Sequence, residues 1–193
     1  MNPFRFPLAL TVTAAALLAL PLAGCDTADP GESDVVDDQT DDPRAFVPAN
    51  DLAYVDYLQP HHTSAIMMSQ MVVQRGQDAE VKAFAQGVIQ TQQAEIQVLR
   101  AARQELRGSP DSPEVTDPHM DDDMQRMMGL SGTTLDREYL RNMLPHHANG
   151  VSISHNALPN LRRADLRDLA MDVVEVQADE IGEIRALMAR VGG

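Results

Sequence analysis

Tryptophan is absent from this chain of 193 residues, cysteine occurs once, and aromatic residues together make up only 4%. A single cysteine excludes an internal disulfide and any Cys-rich zinc site. The scarcity of aromatics leaves a core to be built from Ala, Val, Leu, Ile and Met, which suits helices better than a β-sandwich. Basic residues are also few: 15 Lys and Arg stand against 29 Asp and Glu, a formal net charge of −14. That imbalance argues against nucleic acid and anionic lipid headgroups as partners and favours cations. Neither a Ser/His/Asp hydrolase constellation nor a phosphate-cradling Gly loop is recognisable, which speaks against hydrolase and nucleotide chemistry. What the chain does have is 44% hydrophobic residues, enough for a core, and 11 methionines, a high number for its size.

An apolar run from Leu8 to Leu20 follows Arg5 and ends in Leu22-Ala23-Gly24-Cys25. It is too short for a comfortable membrane span and has the charged start and small-residue finish of a secretory signal. The Leu-Ala-Gly-Cys ending resembles a bacterial lipobox. By that resemblance residues 1–24 are a lipoprotein signal peptide and Cys25 is the lipidated mature N-terminus, its thiol closed to metal and redox chemistry. Residues 25–48 read as a lipidated, acidic, disordered tether, since Asp26 to Asp42 holds eight acidic residues and no basic one. Such a segment cannot bury enough surface to fold, and its charge self-repels. The expectation is a cell-envelope protein on the extracytoplasmic side, with the membrane as a partner through Cys25.

Residues 49–193 carry an internal duplication. Displaced by 85 positions, the chain matches itself without gaps, with 14 identities between positions 51 and 101; unrelated sequence gives roughly three. Asp51 falls on Asp136, Tyr54 on Tyr139, Pro60-His61-His62 on Pro145-His146-His147, and Ser69 on Ser154. Gln92, Glu95 and Ile96 fall on Gln177, Glu180 and Ile181. Repeat one spans 51–107, a Met-bearing link 108–133, and repeat two 136–190. Each repeat reads as two helices, with Asp51 and Asp136 as expected N-caps and breaks at Gly76 and Pro159-Asn160. Two duplicated helical hairpins predict an all-α, up-down four-helix bundle.

The two Pro-His-His triplets stand at equivalent points of the first and third helices. Adjacent helical positions diverge by about 100°, so the rings of one pair cannot point the same way. His62 and His147 fall on the apolar stripes, His61 and His146 at their margins. Retention of the triplet in both copies, while most nearby positions changed, points to a ligand role for at least one His per repeat. Gln92/Glu95 and Gln177/Glu180 are i,i+3 pairs beside the core. Two readings stand for them. Either the Glu side chains bind metal or orient a His through its second N–H, or they close the bundle by hydrogen-bonding His or Tyr. Met143 is within reach of His146 and His147 along one helix, whereas Met67, Met68 and Met71 read as core. In the link, His119, Met120, Met124, Met127 and Met128 form an auxiliary soft cluster expected to be exposed, its methionines on one helical face. Thioethers select Cu(I), while imidazole suits Cu(II), zinc and other transition metals.

These residues resemble the bacterial family known as domain of unknown function 305, grouped with the ferritin-like bundles. Its hallmark is Met-Ile-x-His-His-x-x-Ala-Ile-x-Met, preceded by Asp and followed by Gln-x-x-Glu-Ile. The second copy here offers Asp136, Met143-Leu144-Pro145-His146-His147 and Gln177-x-x-Glu180-Ile181; the first offers Asp51, Pro60-His61-His62, Ala65-Ile66-Met67-Met68 and Gln92-x-x-Glu95-Ile96. The resemblance covers about residues 49–190. It implies an exported or lipid-anchored helical bundle, with copper-binding, copper-tolerance proteins among the members, and a ligand set of His61, His62, Met68, Met143, His146 and His147. Leu58 stands where the family favours Met, and Ile153 where the first copy has Met68, so each copy keeps a different Met and two identical sites are not expected. The leading expectation is a non-enzymatic, lipid-anchored extracytoplasmic copper binder, Cu(I) or Cu(II), serving tolerance, storage or handover. The alternatives are a ferritin-like redox or oxygen-handling enzyme and a non-catalytic helical scaffold; oligomerisation is left open.

Overall fold

Four long helices dominate the computed structural model, which describes residues 46–113 and 124–192. They are α1 (Asp51–Arg75), α2 (Ala79–Arg107), α3 (Gly132–Ala157) and α4 (Ala164–Val191). A 3₁₀ turn, Leu158–Asn160, joins α3 to α4, and a short helical segment covers 124–128. No strand occurs among the described residues, so the expected all-α bundle of two helical hairpins is what the chain forms. The signal segment, Cys25, most of the tether, His119 and Met120 lie outside the described residues. Among the described residues no helix is long and apolar enough to cross a membrane. The chain is already held just before α1, where Phe46 stacks on Tyr57 with centroids 4.9 Å apart and Pro48 O accepts a hydrogen bond from Asn160 Nδ2.

The helix ends correct one sequence expectation. Asn50, not Asp51, caps α1, its Oδ1 accepting from Ala53 N at 3.0 Å. Ser131, not Asp136, precedes α3. The two aspartates instead reach across to the other repeat. Asp136 Oδ2 accepts from Gln77 N at 3.0 Å and Asp78 N at 2.9 Å, in the α1–α2 turn. Asp51 Oδ1 accepts from Arg162 N at 2.8 Å, in the α3–α4 turn. Each buried carboxylate thereby satisfies N–H groups at the start of a helix in the opposite hairpin. Asp78 caps α2 through Glu80 N and Val81 N, whereas Arg163 caps α4 with no side-chain bond, so Asp51 supplies that turn's acceptor. Gly108 closes α2 at φ 73°, a left-handed conformation that glycine adopts without steric cost.

Cross-repeat hydrogen bonds set the topology. Tyr54 Oη lies 3.0 Å from Ser154 Oγ, and Ser69 Oγ lies 2.8 Å from Tyr139 Oη. These are duplicate-equivalent pairs, and they require α1 and α3 to run antiparallel. Helix directions are therefore up, down, down, up, which corrects the simple up-down alternation expected from the sequence, and the 108–131 link connects opposite ends of the bundle, as in ferritin-like connectivity. The two hairpins are related by a pseudo-twofold axis across the bundle. One buried cluster, at the Asp136 end, includes Met68, Phe84, Val88, Met127, Tyr139, Met143 and Ile184. The other, at the Asp51 end, includes Tyr54, Leu58, Leu99, Ile153, Leu169 and Val173. Between the two lies a polar layer.

Candidate metal centre

That layer is made by the two Pro-His-His turns, which meet where α1 crosses α3. All four imidazoles are buried, His62 and His147 completely. The stripes of α1 and α3 carry His62 and His147 inward as expected. His61 and His146, expected at the margins, are buried too, because they face one another across the helix–helix contact. Their rings stack with centroids 3.8 Å apart and 29° between planes. A second helix covers what a single amphipathic stripe leaves at its edge.

Each ring is held differently. His147 Nε2 lies 2.8 Å from Glu180 Oε2 in a formed hydrogen bond. With Nε2–H donating to the carboxylate, Nδ1 keeps its lone pair, and it has no protein partner. The equivalent His62 Nε2 is 2.9 Å from Glu95 Oε2 but outside hydrogen-bond geometry, and its Nδ1 is likewise buried without a partner. His146 Nε2 lies 3.0 Å from Ser64 Oγ and 3.1 Å from His61 O; Ser64 Oγ itself donates to His61 O at 2.8 Å. Its Nδ1 is buried without a partner, as are both nitrogens of His61. Burial is the main reason that His61 is held well below the ordinary imidazole range, with the neighbouring His146, His62 and His147 adding to it. The same desolvation, helped by His147 and His62, pushes His146 down to about 3. Both rings are therefore neutral at physiological pH, the form in which imidazole ligates metals.

The carboxamides of Gln92 and Gln177 are also buried with neither oxygen nor nitrogen paired. Gln177 lies over Gly150, where an added Cβ would meet its Oε1 at 2.2 Å. Buried polar atoms left unpaired are costly, and this part of the bundle concentrates them. Among the described residues no three His, Cys, Asp or Glu side chains are grouped to hold a metal ion. Glu95 and Glu180 each serve a histidine, so the set is not the clustered carboxylates of a di-iron bundle. The thioethers of Met143 and Met68 are buried in the adjoining cluster.

The remaining expectations divide. Met71 is partly buried against the Met68 cluster, but Met67 is exposed and is not core. Among the described residues the link does not present its methionines to solvent as a set: Met127 is fully buried in the Met68 cluster, Met124 is partly buried against it, and Met128 is exposed. Arg75 donates to the carbonyls of Met127 and Met128, which pins this segment to the end of α1. Two groups went unrecognised in the sequence. The Tyr54–Ser154 and Tyr139–Ser69 bonds flank the layer, and their identity in both repeats was an available signal. Ser64 carried none, because repeat two has Asn149 in its place.

A family model described as domain of unknown function (DUF305) matches residues 51–188. CopM in its Cu(II)-bound form is 26% identical over 73% of this chain and 97% of that one, with a TM-score of 0.64. In its Cu(I)-bound form it is 25% identical over 75% and 99%, with a TM-score of 0.65. A DUF305 fragment from Deinococcus radiodurans, 20% identical over 72% and 95% with a TM-score of 0.65, shares the fold. No curated protein sequence matches the chain.

Proposed function

The chain belongs to the DUF305 family, and from that premise we propose that it is a copper-binding protein rather than an enzyme, anchored in the cell envelope through a lipidated Cys25. The observation that carries the reading is the layer of buried imidazoles whose ring nitrogens lack partners, set against the thioethers of Met68 and Met143. Neutral nitrogen and soft sulfur donors suit Cu(II) and Cu(I) respectively. The similarity to CopM, solved with Cu(I) and Cu(II), supports it. Copper is the cargo, taken up for tolerance, storage or handover. His147 and His146 offer Nδ1, His61 either nitrogen, and Glu180 holds the His147 ring in the tautomer that keeps Nδ1 free. The acidic chain raises the local concentration of cations. The acidic segment before residue 46 serves as spacer from an extracytoplasmic membrane surface.

Calorimetric titration of the full chain with Cu(I) and with Cu(II) tests the reading. Binding that is lost on replacing both His pairs by Asn, in a variant whose helical circular dichroism is retained, is expected. Equal affinity in the two proteins refutes it. Metabolic labelling with a radioactive fatty acid, lost in C25S together with membrane association, is expected for the anchor.

A further inference from the structure

The buried methionines are not shared equally between the two sides of the imidazole layer. The duplication pairs His147 with His62, Glu180 with Glu95, Met143 with Leu58, and Met68 with Ile153. Met68 and Met143 thus come from different repeats and from non-equivalent positions. Both nevertheless lie in the cluster that contains Phe84 and Tyr139. Leu58 and Ile153 both lie in the opposite cluster, with Tyr54. The antiparallel crossing explains this: a position after His62 in α1 and one before His147 in α3 fall on the same side of the layer.

The His147 ring faces that side. Its centroid is 6.4 Å from the ring of Phe84, which is 6.3 Å from Tyr139. Helical side chains tilt toward the N-terminus of their own helix, which carries His147 toward Met143, four residues earlier on the same face. By the same rule His62 tilts toward Leu58, and Leu169 stands where the other side has Phe84. Filling space does not require sulfur here, since Leu and Ile fill the equivalent places.

Resting on the copper reading above, we infer that the bundle holds one soft-metal site, on the His147 side, formed by His147 Nδ1 and the thioethers of Met143 and Met68. The pseudo-equivalent place near His62 has an unpaired imidazole but no sulfur beside it, because Leu58 and Ile153 carry no lone pair to offer a metal.

The test is titration of the reduced full chain with Cu(I) against a chromophoric Cu(I) chelator, with equivalents counted by native mass spectrometry. The wild-type chain takes one tight equivalent, with sulfur in the Cu(I) X-ray absorption spectrum. M68I/M143L gives this side the residues of the other and weakens that equivalent by roughly 100-fold or more, with loss of the sulfur signal. L58M/I153M gains a second tight equivalent. Two equal tight equivalents in the wild type, or a tight equivalent that persists in M68I/M143L, overturn the assignment. If M68I/M143L does not fold, L58M/I153M decides, and its failure to gain an equivalent counts against the inference. A wild-type chain that takes up no Cu(I) removes the copper reading itself, whereas uptake insensitive to M68I/M143L removes only the single-site assignment.

Discussion

Burial keeps His61 and His146 neutral, and that state has a measurable cost in acid. His146 titrates near 3 in the folded chain, against an ordinary value of 6.5, chiefly because it is buried. Between those values the unfolded chain binds a proton that the folded chain does not, so stability falls as pH drops. His61 is displaced in the same direction and adds to the effect. The carboxylates held low by arginine, Asp78 and Asp165, act below their ordinary value of 3.8, on the more acid side of this window. Melting of the metal-free chain is therefore expected to be flat above about pH 7 and to decline progressively below about 6.5. In H146Q the decline is shallower. An unchanged slope in H146Q, measured by circular dichroism melts between about pH 8 and 4.5, contradicts the account. At this scale the sequence was half legible. His62 and His147 read correctly from one helix's stripe. The burial of His61 and His146 depends on a second helix that no single stripe describes.

The hairpins are locked to each other by carboxylates that look like ordinary caps in the sequence. Asp136 is fully buried and accepts backbone N–H groups of the α1–α2 turn, and Gly76 is what lets it approach. A Cβ on Gly76 would lie 2.3 Å from Asp136 Oδ1 and 2.7 Å from Val72 O, a backbone atom that cannot swing aside. We expect D136A and G76A each to lower unfolding free energy by about 2–4 kcal/mol, read by denaturant titration. The double variant should lose less than the sum, since both changes act on one contact. N50A, which removes only a local cap, should cost about 1 kcal/mol. The sequence marked Asp51 and Asp136 as important through their repetition at the helix starts. Their partners escaped it, because a cap on the same helix and a cap on another chain segment leave the same residue pattern.

Over the whole molecule, the net charge of −14 and the single polar layer act together. In the proposed copper binder, the field draws cations toward the bundle, and the unpaired nitrogens and thioethers are the donors offered to them. A metal that binds only the folded chain stabilises it by mass action, by about 2.7 kcal/mol at a free concentration 100 times the dissociation constant. Scanning calorimetry of the full chain should show Tm rising with added Cu(I), and less so in M68I/M143L. The helical hairpins, their duplication and the recurring Pro-His-His turns follow from the sequence, since periodicity and repetition are local properties of the chain. The antiparallel meeting of the hairpins is a tertiary fact, set by Tyr54–Ser154, Tyr139–Ser69 and the exchanged aspartates. Along the chain, Met68 and Met143 look like leftovers of two unequal copies. Inverting one hairpin against the other brings them to the same side of the histidines, because a twofold axis across the bundle reverses the direction in which the two helices are read.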